Sequence, residues 1–143
     1  MNPRFLTLIT TSLIIICLQS QTIEVCITDF RTCEGQLCVA IFNSEESFKE
    51  EKPVWEKYFP KKDLTNKTLK FTIRLAPGIY GLSILDDINM DAKMNFNMIG
   101  IPGEGYGFAN YQHKGIFKPK FSAFSFQLSE NENIPLKVKM QYF

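Results

Sequence analysis

Apolar and polar residues alternate along most of the chain. Ile23, Val25 and Ile27 are interleaved with Glu24, Cys26 and Thr28; past a turn at Gly35, Leu37, Val39 and Ile41 are interleaved with Cys38, Ala40 and Phe42. A period of two marks a strand with one buried face, so these two segments predict a hairpin. Leu69, Phe71, Ile73 and Leu75 alternate with Lys70, Thr72 and Arg74, and the turn Ala76-Pro77-Gly78 leads into a further strand over Ile79 to Leu85. Ser122 to Leu128 carries Phe124, Phe126 and Leu128 at period two. Ile134, Leu136, Val138, Met140 and Tyr142 against Lys137, Lys139 and Gln141 give the clearest strand of all.

Strands with one apolar face need a second sheet to cover it, so the pattern predicts an all-β, antiparallel two-sheet sandwich of about seven strands. Two segments break the alternation. Over Ser44 to Tyr58, Ser44 precedes Glu45 and Glu46, and Phe48, Val54, Trp55 and Tyr58 fit a short helix or two interrupted at Pro53. This is read as a short, partly helical crossover that packs Trp55 on the core rim. Asp86 to Phe121 has little periodicity, yet it holds Met94, Phe96, Met98, Ile99, Tyr106, Phe108 and Phe117. Such a loop is ordered, drapes over one end of the sandwich and is the place to look for function.

The first twenty residues differ in kind. Arg4 is their only charge, Phe5 to Leu18 is mostly apolar and Ser20 is small, which describes a secretory signal peptide over residues 1–20 and a single sandwich domain over 21–143. An uncleaved anchor and a lipoprotein signal acylated at Cys17 are the other readings; Ile16 stands where the latter wants a small residue. Export to the periplasm, the outer surface or the medium follows. Losing Arg4 takes the net charge from +1 to zero, so there is no electrostatic footprint for nucleic acid, and no membrane span remains in the mature chain.

Within the long loop, Asp87, Asn89, Asp91 and Asn95 place oxygens on alternate residues, with a backbone carbonyl at Lys93 between them. These match ligand positions 1, 3, 5, 9 and 7 of a calcium loop. Ala92 replaces the glycine of position 6 and Met98 the glutamate of position 12. The expectation is a weak calcium site, closed by Asp86, Glu104 or another distant carboxylate. The alternative is a loop whose Asx side chains bond their own backbone.

The loop runs on into Ile99-Gly100-Ile101-Pro102-Gly103-Glu104-Gly105-Tyr106-Gly107-Phe108-Ala109-Asn110. Together with the Asp-x-Asn-x-Asp run, the Ala76-Pro77-Gly78-Ile79-Tyr80 turn and Val39-Ala40-Ile41-Phe42-Asn43, this string resembles the bacterial family called domain of unknown function 2141. The resemblance covers about Ile23 to Tyr142. It implies an exported immunoglobulin-like or transthyretin-like sandwich, and it places the family's acidic loop on Asp87, Asn89, Asp91, Lys93, Asn95 and Asn97. Members commonly have glycine at Ala92 and aspartate at Asn95, so this copy is depleted in ligands. Gly100, Gly103, Gly105 and Gly107 are expected to serve backbone angles closed to other residues.

Catalytic signals are sparse. His113 is the one histidine, and neither His-Glu-x-x-His nor Gly-x-Ser-x-Gly occurs. Adjacent Asp86 and Asp87 would point to opposite faces of a strand. The leading expectation is therefore a non-catalytic binding or structural module whose partner is a protein or surface ligand. A small secreted hydrolase or transferase using Asp87, Asp91, Glu104 and His113 is the alternative. Of the mature cysteines, Cys26 could face Cys38 across the expected hairpin, or Cys33 could pair with Cys38.

Overall fold

A computed structural model of the chain describes residues 21–64 and 66–143; the expected signal peptide, residues 1–20, lies outside them. Eight strands form two sheets: β1 (Gln21–Thr28), β2 (Gln36–Phe42), β3 (Trp55–Pro60), β4 (Thr68–Leu75), β5 (Gly78–Asp87), β6 (Gly105–Phe108), β7 (Ser125–Leu128) and β8 (Asn133–Lys139). One sheet has the order β4-β1-β8, and the other runs β3-β2-β5-β6 with β7 pairing the first half of β5. All pairings are antiparallel except β1 with β8. Among the described residues no helix is long and apolar enough to cross a membrane.

The alternation sorts side chains as expected. Ile23, Val25 and Ile27 of β1, Leu37, Val39 and Ile41 of β2, Leu82 and Ile84 of β5, and Leu136 and Val138 of β8 all bury in one core between the sheets. The expected first hairpin does not exist. β1 and β2 belong to different sheets, and the connection between them sinks Phe30 into the core at 1% exposure, with left-handed backbone at Asp29 and Gly35 turning the chain. Period two reports which face is buried and is silent about which strand lies alongside.

The segment after β2 is partly helical, as expected, and its second half is a strand. A short helix, α1 (Glu45–Lys49), starts at a capping box in which the Ser44 and Ser47 side chains each accept from the other's end of the turn. Glu51 is left-handed at φ 55°, and beyond Pro53 the chain becomes β3, pairing Trp55 with Ile41 and Tyr58 with Cys38. Trp55 does pack half-buried against the core.

A second apolar layer lies on the outer face of the five-stranded sheet. Phe48 from α1 meets Phe124 edge-to-face at 4.9 Å and Phe42 at 5.2 Å, and Tyr106, Phe108 and Phe121 complete the cluster. Full burial of a phenylalanine is worth about 1.5–3 kcal/mol, so this layer holds the loops as firmly as a small core would. The long segment is thus not draped over an end. It is cut by β6, and its two halves cover the sheet's outer face.

Candidate functional site

β5 ends in two aspartates that alternate. Asp86 points between the sheets, while Asp87 joins Cys38 and Gln36 on the outer face, and both are fully buried. Asp87 accepts from Gln36 Nε2 at 2.7 Å, from the Asp91 and Ala92 amides at 3.1 and 3.0 Å, and from Cys38 Sγ at 3.5 Å. Asp91 in turn accepts from the Lys93 amide at 2.9 Å and from the Asn89 and Asn95 side-chain amides at 3.0 and 3.1 Å. The loop curls around its first carboxylate. That curl puts Met90 and Ala92 in the left-handed region at φ 64° and 58°, so Ala92 occupies the conformation for which a glycine is the usual choice.

Glu104, sixteen residues on from Ile88, closes the ring: it accepts from the Ile88 amide at 3.3 Å and from both the amide and side chain of Asn95 at 3.2 Å. Carboxylate oxygens of Asp87, Asp91 and Glu104 lie within 4.8 Å of one another. Among the described residues no lysine or arginine forms an ion pair with any of them. The residues expected from spacing are brought together: Asp87, Asn89, Asp91, Lys93 through its carbonyl, and Asn95. Asn97 is not among them, because its oxygen accepts from the Ile99 and Ile101 amides and caps its own turn. Of the distant carboxylates, Glu104 joins and Asp86 faces away.

This knot mixes an Asx-bonded loop with a cation-shaped cluster. In the arrangement shown, Asn95 turns its amide nitrogen toward Asp91 and Glu104, doing part of what a cation would do. A half-turn of that amide presents its oxygen instead, and the donor set then suits a hard cation.

Burial alone would raise the Asp87 carboxyl, but the hydrogen bonds from Gln36, Ala92, Cys38 and Asp91 outweigh it and hold the group below its ordinary value. Asp91 is lowered too, chiefly by Asn95 and the Lys93 amide. A carboxyl depressed in the native state contributes stability that is complete above its unfolded pKa of about 3.9 and is lost as pH falls through the lower native value. Thermal midpoints are therefore expected to drop below about pH 4 more steeply for the wild type than for Asp87→Asn. Parallel curves for the two proteins would remove Asp87 from the acid transition.

Beside the knot lies a cleft of about 460 Å³ on the outer sheet face, floored by Ala40, Ser83 and Leu85 and walled by Phe48, Tyr106 and Phe108. Met94, Phe96, Ile116 and Phe117 from the two halves of the long segment line it as well, and Phe96 and Phe117 stand largely exposed at 61% and 81%. Lys118 and Glu51, paired at 3.0 Å, also line it, with the Lys118 ammonium 4.5 Å above the Phe48 ring.

His113 faces the same cleft but contacts Tyr111 and the Phe117 carbonyl, at 3.3 and 2.6 Å, rather than a carboxylate. The four residues of the enzyme alternative are thus divided into a carboxylate trio and a separate histidine. Among the described residues, Cys26, Cys33 and Cys38 are free. Cys26 sits on β1 and Cys38 on the outer face of the other sheet, so the expected facing pair is not formed, nor is Cys33 with Cys38. Burial, reinforced by the Asp87 charge, pushes the Cys38 thiol up to about 12, which keeps it protonated and unreactive.

β6 explains the glycine string. Tyr106 and Phe108 face the cleft, so Gly105 and Gly107 face inward, where a Cβ would fall 2.2 Å from the Tyr142 ring and 2.5 Å from Val138. Their role is close approach rather than special angles; only Gly100 of the four has positive φ, at 78°. This inward contact is what the Gly-Tyr-Gly-Phe string of this chain leaves room for. Residues 25–135 match the family domain of unknown function 2141, described as an uncharacterized protein conserved in bacteria. The chain belongs to this family. Neither the curated proteins nor the solved structures contain a significant match. The match within the domain of unknown function 2141 spans the knot, the cleft and β6 alike.

Proposed function

We propose that the chain is an exported, non-catalytic binding module that takes an apolar or aromatic group of a protein or surface ligand into the cleft on its outer sheet face. The cleft itself is the observation that carries this reading: about 460 Å³ walled by aromatic rings, in the size range of small-molecule sites. Export rests on the signal-peptide pattern of residues 1–20. The non-catalytic reading is supported by the four donors that tie Asp87 into its loop and by His113 standing apart from the carboxylates. An apolar fluorescent probe, anilinonaphthalene sulfonate, is expected to bind the native protein, and Ala40→Trp, which fills the floor, to weaken it about tenfold or more. No binding to native protein overturns the assignment. A rate on ester, glycoside or phosphoester substrates that Asp91→Ala abolishes would favour the hydrolase or transferase instead.

The knot serves this function by ordering the loop that forms one wall. Calcium fits it weakly, bound by Asp87, Asp91 and Glu104 with oxygens of Asn89, Asn95 and Lys93, and a dissociation constant of about 10⁻⁴ to 10⁻³ M matches extracellular modules. At tenfold excess over that constant the stabilisation is about 1.4 kcal/mol. Melts in millimolar calcium and in chelator are expected to differ accordingly; identical midpoints from protein shown to be metal-free at the start mean the loop holds itself.

A further inference from the structure

On the other side of β5 from the knot is a charged pair that ligand binding does not use. Lys61, in the turn that follows β3, has no exposed surface, and its Nζ contacts Asp86 Oδ1, also buried. Asp86 Oδ2 accepts from the Tyr142 hydroxyl, and the ammonium also donates to Thr32 Oγ1 at 3.3 Å. Taking both charges of such a pair out of solvent is costly.

We propose that Lys61 and Asp86 condense into an intramolecular amide, joining the Lys61 side-chain nitrogen to the Asp86 γ-carbon across the interior of the sandwich. The scaffold holds both groups against each other. The Lys61 amide donates to the Gly35 carbonyl at 3.0 Å, and Asp86 is fixed between Leu37 of β2 and Gly105 of β6. Groups held this way react with effective molarities of about 10⁵ to 10⁸ M, which lowers the barrier to attack.

Tyr142 is the orienting group. The Arg31 amide donates to its hydroxyl oxygen at 2.9 Å, so the hydroxyl proton is left to point at Asp86. Burial and the neighbouring carboxylate raise the phenol well above its ordinary range, so it stays a donor throughout. Gly105 leaves room for its ring, and the Arg31 guanidinium, 4.2 Å from the ring centre, covers it.

The step balances without a cofactor. A proton passes from the Lys61 ammonium to Asp86 Oδ1, giving amine and carboxylic acid. The amine lone pair attacks Cγ, and Oδ2 takes the negative charge, stabilised by the Tyr142 O–H. The nitrogen gives up a proton to the Oδ1 hydroxyl, the C–Oδ1 bond breaks, water leaves and the Cγ=Oδ2 bond re-forms. One C–N bond replaces one C–O bond, and nothing is oxidised or reduced.

Intact mass spectrometry of the purified, reduced full chain tests this directly. The expected mass is lower by one water than that calculated for the polypeptide actually purified, with a branched proteolytic peptide joining the segments around Lys61 and Asp86 and no tryptic cut after Lys61. Lys61→Arg and Asp86→Ala are each expected to show no such loss, and Tyr142→Phe to show incomplete conversion. A wild-type mass without the loss, or a loss that maps to another aspartate, overturns the proposal, whether or not the variants fold.

Discussion

Asp86→Ala is expected to be the most damaging single substitution in the sandwich. It leaves the fully buried Lys61 ammonium, among the described residues, with Thr32 alone as a partner and removes the acceptor of the Tyr142 hydroxyl. Breaking a buried pair from one side costs about 3–5 kcal/mol, a large part of the 5–15 kcal/mol by which domains are stable. The double variant Lys61→Met with Asp86→Leu removes both charges and fills the same space, so it is expected to recover that penalty in urea unfolding. The amide adds a second term. Closing the chain between residues 61 and 86 lowers the entropy of the unfolded state by roughly 3–4 kcal/mol in free-energy terms. The double variant is therefore expected to remain below the wild type by about that amount, and equality of the two would mean that the pair acts only through charge.

The faces of the strands were legible in the sequence to a far greater degree than their neighbours. Every apolar residue of β1, β2 and β8 that alternation placed inward is at or near the core. The pairing of β1 with β4 and β8 was not legible, because a seven-residue connection with Phe30 in it looks like a hairpin loop until one knows that the phenylalanine is buried. β3 was hidden for another reason. Val54, Trp55 and Tyr58 fall at helical spacing, but Pro53 supplies no N–H and the free edge of β2 supplies a full ladder, so the tertiary partner decided. β6 is four residues of Gly-Tyr-Gly-Phe, and its two glycines hide an inward face that carries no side chain at all.

For the candidate site, the local part was readable and the distant part was not. Alternate oxygens from Asp87 to Asn95 announce a curl about one point, and the curl is there. Glu104 could be named only as one of several carboxylates able to close it, since nothing in its own neighbourhood specifies the 88–95 turn. The cleft was not readable, because its floor of Ala40, Ser83 and Leu85 is the ordinary outer face of a sheet. What turns that face into a cleft is the cover of Met94, Phe96, Ile116 and Phe117, and the exposed aromatic residues of the long segment were the one signal pointing there. The buried Lys61 gave no signal, for lysines in turns are commonly solvated.

The two aspartates of the knot are expected to separate cleanly by substitution. Asp87→Ala leaves Gln36, Cys38 and the Asp91 and Ala92 amides without their shared acceptor, and the first two are buried beneath the loop. Each stranded buried donor costs about 1–3 kcal/mol, and the thiol is a weak donor, so a loss of about 3 kcal/mol is expected even in chelator. The released loop carries Met94 and Phe96, so the cleft loses a wall and apolar probe binding weakens with stability. Asp91 is exposed, and its partners Asn89, Lys93 and Asn95 turn readily to water. Asp91→Ala is therefore expected to melt close to the wild type in chelator and to lose the calcium-dependent rise in midpoint. Urea melts of the two variants with and without calcium make the comparison. A knot built only to fold the loop would show Asp87→Ala damaged and Asp91→Ala indifferent to calcium alongside a wild type equally indifferent, whereas a cation site requires the wild type to respond where Asp91→Ala does not.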